Sequence, residues 1–178
     1  MTFMKSIKIF LFALLLAITN LLASDIQSNS RGGGDWNSPS TWLGGIVPNS
    51  EDNVIIVGND IIVVNSDIDI QSLFISNSAT LKPNTEERKI TLSNDLFAID
   101  FAKIDYSNSD GKLNWVFTGI ADGKSIINIQ NSTKVLFNNI EIKGSTHIAT
   151  GTVRAIGIFE MKCQCFSIAS EQMLYIGN

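Results

Sequence analysis

From Asp52 onward the chain repeats one unit: apolar residues at every second position, closed by an Asn, Ser, Asp or Gly corner. Ile68 and Ile70 alternate with Asp67, Asp69 and Gln71, and Leu73 and Ile75 alternate with Ser72 and Ser76. The pattern returns at Ile90 and Leu92, at Ile127 and Ile129, and at Ile140 and Ile142. A period of two sends successive side chains to opposite faces of a strand, so each unit is a short strand with one buried face. The breaks, such as Ser107 to Gly111 and Asn138-Asn139, are turn chemistry, because Asn, Asp and Gly accept left-handed backbone angles. Helical spacing is confined to Ser170 to Leu174. Phe97, Ile99 and Phe101 read as inward at odd positions and Ile104 and Tyr106 at even ones, which predicts a corner or bulge near Ala102-Lys103.

Many short strands fit a sandwich, a barrel or a solenoid. Two-residue hairpins favour Asn-Gly turns, and the chain has no Asn-Gly pair. Ile68-Asp-Ile-Gln71 instead recurs as Ile127-Asn-Ile-Gln130, and stacked coils tolerate uneven corners provided the inward positions match. The expected fold is therefore all-β, a right-handed parallel β-helix. Residues 25–51 would form an N-terminal cap, 52–151 the coils, and 152–178 a C-terminal strand or frayed segment. At roughly 20 to 25 residues per coil this makes about four or five coils. That is short for an enzyme with a substrate groove, and it suggests a truncated product or a remnant of a larger surface protein.

Residues 1–24 carry Lys5 and Lys8, an apolar run from Ile9 to Ile18, a Thr19-Asn20 break and the small pair Ala23-Ser24, the pattern of a secretory signal peptide. A membrane anchor needs about 20 apolar residues, so the expectation is a secreted or cell-surface chain with no transmembrane span after cleavage. Removing those residues and their two lysines takes the formal charge from −4 to −6. An acidic chain argues against nucleic acid as a partner. Two Cys and one His leave too few ligands for a disulfide scaffold or a zinc site. Between Asp25 and Ser50, Gly and Pro interrupt any helix, while Trp36 and Trp42 bring large apolar area that needs covering.

Trp36, Trp42, Gly44-Gly45, Pro48, Asp52, Val54 and Ile56, followed by Ile61 to Val64 and Leu73 to Leu81, carry a resemblance. This run resembles the start of secreted bacterial right-handed parallel β-helix proteins of the pectin lyase-like kind, especially Bacteroidota surface proteins and the related domain family named for eight glycines. The resemblance implies that the Trp and Gly-Gly segment caps the first coil and that Ala79-Thr-Leu81 is a corner. It also implies a functional range from polysaccharide cleavage to adhesion, and no catalytic motif transfers to a position here.

Candidate chemistry is sparse. Asp95, Asp100, Asp105 and Asp110 recur every five residues, and paired surface carboxylates can serve acid/base work or calcium. The alternating parity separates them, which leaves Asp100 and Asp105 as acidic surface candidates and Ca2+ as the one ion to weigh, with no other cofactor or metal expected. Asp105 to Gly111 differs from a calcium loop in its glycine position and lacks the distal Glu. Trp36 and Trp42 are expected to cap, with glycan stacking as the competing role. His147 reads as a loop residue and Cys163 and Cys165 as a reduced pair. Asn131-Ser-Thr133 is an accidental glycosylation triplet. The expected function is a non-catalytic extracellular module, structural or adhesive, touching polysaccharide or cell-surface components. The alternative is a fragment of a polysaccharide lyase or glycoside hydrolase. Carboxylates grouped with Lys or Arg on one sheet would favour the enzyme, and scattered Asp the module.

Overall fold

The computed structural model describes residues 23–104, 111–120, 123–130, 134–163, 166–170 and 173–176. Strands β1 (Asp25–Gln27) and β2 (Gly33–Asp35) are followed by two 3-10 turns, Pro39–Thr41 and Leu43–Gly45. Three-strand coils then succeed one another. The first two are β3 (Asn53–Ile56), β4 (Ile61–Val64) and β5 (Ile68–Ile70), then β6 (Ser72–Ile75), β7 (Thr80–Pro83) and β8 (Glu87–Leu92). Next come β9 (Leu96–Ala98), β10 (Lys103–Ile104) and β11 (Lys112–Phe117), then β12 (Ser125–Ile129), β13 (Lys134–Val135) and β14 (Ile140–Ile142). The last are β15 (Thr146–Thr150), β16 (Thr152–Ala155) and β17 (Phe159–Met161), with β18 (Phe166–Ile168) and β19 (Met173–Ile176) beginning another turn.

Each coil adds one strand to each face. The first sheet runs β1-β3-β6-β9-β12-β15-β18, the second β2-β4-β7-β10-β13 reading from the N-terminal end, and the third β5-β8-β11-β14-β17. β16 and β19 pair with each other, and a bridge between Phe137 and Ala155 joins β16 to the end of the second sheet. All strand pairings are parallel, so the molecule is a parallel β-solenoid.

Register turns the period-two pattern into continuous interior columns. Through the first sheet, Ile26, Val54, Leu73, Leu96, Ile127, Ile148 and Ile168 lie directly on one another. Through the third sheet the column is Ile70, Leu92, Phe117, Ile142 and Met161. Each apolar side chain fully buried in these columns contributes about 1.5–3 kcal/mol, which is why the Ile-x-Ile unit repeats. The inward positions expected at Ile68, Ile70, Leu73, Ile75, Ile127, Ile129, Ile140 and Ile142 are all buried. A deeper aromatic group fills the core, with Trp115 edge-on to Phe137 at 5.3 Å and stacked with Phe117 at 6.4 Å.

One phase is corrected. Leu96 and Ala98 face inward, not Phe97, Ile99 and Phe101, and Phe101 is 64% exposed. Every residue from Leu96 to Ile99 is apolar, so alternation alone leaves the parity open, and stacking on Leu73 and Ile75 decides it. Phe97 stacks instead on Phe74 outside the sheet, centroids 6.4 Å apart. The corner falls at Asp100-Phe101, both with positive φ, two residues before the expected place, so Ala102 and Ile104 keep the even phase. Tyr106 lies outside the described residues. The helical spacing near Ser170 also gives way, since Met173–Ile176 is a strand paired with β16.

Candidate functional site

The third sheet carries the most chemically concentrated surface. Because β5, β8, β11, β14 and β17 pair in register, Asp69, Thr91, Val116, Glu141 and Glu160 form one outward rung. Their inward neighbours Ile90, Trp115 and Ile140 anchor the strands in the core, so the rung stands on a fixed backbone. A groove of about 320 Å³ runs over this face. It is lined by the charged Lys89, Glu141, Glu160 and Lys162, the amides Asn114 and Asn139, and the apolar Val116 and Ile158.

The charges in and beside the groove are paired. Lys162 Nζ lies 2.5 Å from Glu141 Oε1 and 3.5 Å from Glu160 Oε2. Lys143 Nζ reaches the other Glu141 oxygen at 3.4 Å, and Lys89 faces Asp67 at 3.9 Å. The hydrogen bond from Lys162 holds the Glu141 carboxyl below its ordinary 4.5, with burial opposing and Lys143 assisting. The same bond raises the Lys162 ammonium above its ordinary 10.5. Both groups therefore stay charged over the physiological range. A general acid needs the reverse, a carboxyl raised by an apolar or like-charged environment. The amides are partly committed: Asn114 Oδ1 accepts from Asn138 Nδ2 at 2.8 Å, and Asn139 Oδ1 accepts from the Ile158 backbone N–H at 2.7 Å.

The residues singled out in the sequence lie elsewhere. Trp36 and Trp42 are 1% and 2% exposed and pack edge to face, centroids 4.9 Å apart. Trp42 Nε1 donates to the Trp36 carbonyl at 2.7 Å, and an antiparallel bridge sets Trp42 against Ser28 beyond the edge of β1. Neither ring offers a free face to a sugar. Asp100 is exposed on its corner, where its backbone N–H donates to Gln130 Oε1, and Lys103 belongs to the second sheet. Asp105 and Asp110 lie outside the described residues, as do Asn131 to Thr133, Cys165 and residues 1–22. Asp95 accepts from the Ile126 N–H.

His147 is not in a loop but in β15, and its Nδ1 is 2.8 Å from Ser167 Oγ. Its register neighbours are Ile126 and Ser167, so strand pairing sets no carboxylate beside it to orient the ring. Cys163, partly buried, donates its thiol to the Gly144 carbonyl. Among the described residues no group of three His, Cys, Asp or Glu is placed to hold a metal, and no helix is long and apolar enough to cross a membrane.

Glu141, Glu160 and Lys162 escaped the sequence reading, because Glu160 and Lys162 lie past Gly151, where the Asn/Ser texture ends. Their available signal was the i, i+2 spacing of Glu141 with Lys143 and of Glu160 with Lys162, which puts opposite charges on the same side of adjacent strands. No family model, curated protein or solved structure matches this chain.

Proposed function

We propose that the chain is a non-catalytic β-solenoid module of a secreted or cell-surface protein, structural or adhesive, which holds extracellular polysaccharide against its third sheet. The observation that carries this reading is Lys162, which pairs with both groove carboxylates and holds Glu141 ionised. The residue pattern of 1–24 supports export. A solenoid face supports an extended ligand, since its rungs repeat along the axis as residues of a polymer do.

The grouping of Glu141 and Glu160 with lysines is the one observation favouring a glycosidase or lyase fragment. Hydrolysis by two carboxylates requires one proton-loaded and one ionised group, whereas the neighbours of Glu141 lower its proton affinity. Incubation of the chain with neutral and acidic polysaccharides should retain polymer on immobilised protein without generating reducing ends or unsaturated uronates. Turnover that disappears in Glu160→Gln would replace the module with an enzyme. The amino terminus of exported protein should begin near Asp25, and full-length protein held in the cytoplasm would remove the extracellular part of the reading.

A further inference from the structure

Resting on that reading, we infer that the groove on the third sheet is selective for uncharged, hydroxyl-rich glycan segments and discriminates against acidic polysaccharides. Lys89 and Lys162 line the groove with Glu141 and Glu160, and Lys143 and Asp67 stand beside it in ion pairs with that set. Each cation has a carboxylate within 4 Å. A uronate or sulfate approaching either groove ammonium would find its charge already offset by a neighbouring carboxylate and would meet Glu160 and Glu141 along the same wall. Like-charge approach of that kind is unfavourable in proportion to how poorly the groove is solvated.

A sugar hydroxyl faces no such conflict, because it donates to a carboxylate and accepts from an ammonium without breaking the pair between them. Asn139 adds a directed donor. Its Oδ1 is fixed by the Ile158 N–H, which orients the amide and leaves Nδ2 for a ligand acceptor. Ile158, 67% exposed, supplies apolar surface for the C–H face of a pyranose ring. The combination of amide, paired charges and aliphatic surface suits a neutral polyol.

Titration calorimetry on the full chain would use a soluble neutral glucan, a soluble neutral mannan and polygalacturonate, each at low and high salt. Wild type should bind at least one neutral polymer, with affinity changing less than about threefold across the salt range, because no net charge is neutralised on binding. Asn139→Asp keeps the acceptor for Ile158 and removes the donor, and should weaken that binding about tenfold. Glu141→Gln frees Lys143 and part of Lys162, and should create polygalacturonate binding that high salt abolishes. Both variants alter half-exposed positions, and circular dichroism would check that each stays folded. Wild-type preference for polygalacturonate, or neutral-glycan binding indifferent to both variants, would overturn the selectivity while leaving a polysaccharide-holding module. Binding to none of the three polymers would overturn both this inference and the glycan part of the proposed function, and turnover would overturn the module itself.

Discussion

The two ends of the interior column meet different fates. Ile26 begins the first-sheet column and is 7% exposed, although no strand of that sheet lies beyond it. Ile168 ends the same column and is 38% exposed, and Met161, which ends the third-sheet column, is 55% exposed. Both ends terminate the same stack of parallel strands, so the difference comes from what covers them. At the N-terminal end the segment carrying Trp36 and Trp42 folds across the opening. Buried carboxylates fasten it: Asp60 accepts the backbone N–H groups of Ser30 and Gly32, both at 2.8 Å, and Asp52 accepts from Asn49 N–H and from the Ser24 hydroxyl. β2 brings a second constraint, because a Cβ on Gly33 would lie 2.2 Å from the Ile61 carbonyl oxygen and the residue has φ +85°. No comparable segment crosses the last coil among the described residues, and Ile158, Met173 and Ile176 join the exposed apolar set there. A solenoid end is thus closed by side chains that turn backbone loops into lids, and not by strand pairing.

Truncation tests the contrast most sharply. Trp42→Ala removes a buried indole, its bond to the Trp36 carbonyl and the edge contact between the rings, and should cost about 3 to 5 kcal/mol in chemical denaturation. Ile168→Ala, at the open end, should cost roughly 1 kcal/mol, because much of its surface already meets solvent. Equal losses would erase the distinction between the ends.

Asp60→Ala comes next. Two N–H groups of the cap loop would lose their acceptor, and the expected cost is about 1 to 3 kcal/mol. Amide exchange should localise the damage, with Ser30 and Gly32 losing protection before β6 does. In the unmodified chain, exchange at β18 and β19 should run roughly tenfold or more ahead of exchange at β3. Uniform protection along the axis would mean that the open end is stabilised by something other than its own contacts.

Acid gives the smallest effect. The folded Glu141 has a lowered pKa, so its contribution is present above its ordinary 4.5 and is lost as pH falls through the folded value. Lys162 works in the opposite direction: its contribution is present below 10.5 and is lost as pH rises through its raised folded value. Denaturant midpoints should therefore fall slightly at both extremes, and Glu141→Gln should flatten the acid limb. An acid limb unchanged by that substitution would overturn the assignment of the acid loss to Glu141.

The solenoid was legible because its signal is local and repeated. Ile68-Asp-Ile, Ile127-Asn-Ile and Ile140-Glu-Ile each state their own phase, and each proves inward at both Ile positions. Legibility fails where polarity stops alternating. Leu96 to Ile99 has no polar residue to mark the outside, so only contact with the preceding coil distinguishes Ala98 from Phe97. The groove was hidden for a different reason. Glu141 and Glu160 are separated by a whole coil in sequence and become neighbours only through the register of β14 on β17, a quantity set by corner lengths. Asp60 was invisible for the same reason, since its partners Ser30 and Gly32 sit almost thirty residues away on the cap loop. His147 was misplaced because Gly144 and Gly151 bracket it, while the intervening Thr146–Thr150 is a strand.

The register also determines how the molecule yields to mechanical load. Among the described residues β18 pairs with β15 alone, and β19 with β16 alone. A pull on the carboxyl end therefore peels one strand at a time, with each release exposing the next strand in the same poorly supported geometry. A pull on the amino end loads β1 on β3 and then the Ser28–Trp42 bridge, so the Trp36-Trp42 lid and its carboxylate fastenings must give before β3 and the coils beyond it are reached. The same ladder of parallel strands should resist strongly from one direction and unravel in coil-length steps from the other, like a zip fitted with a stop at one end.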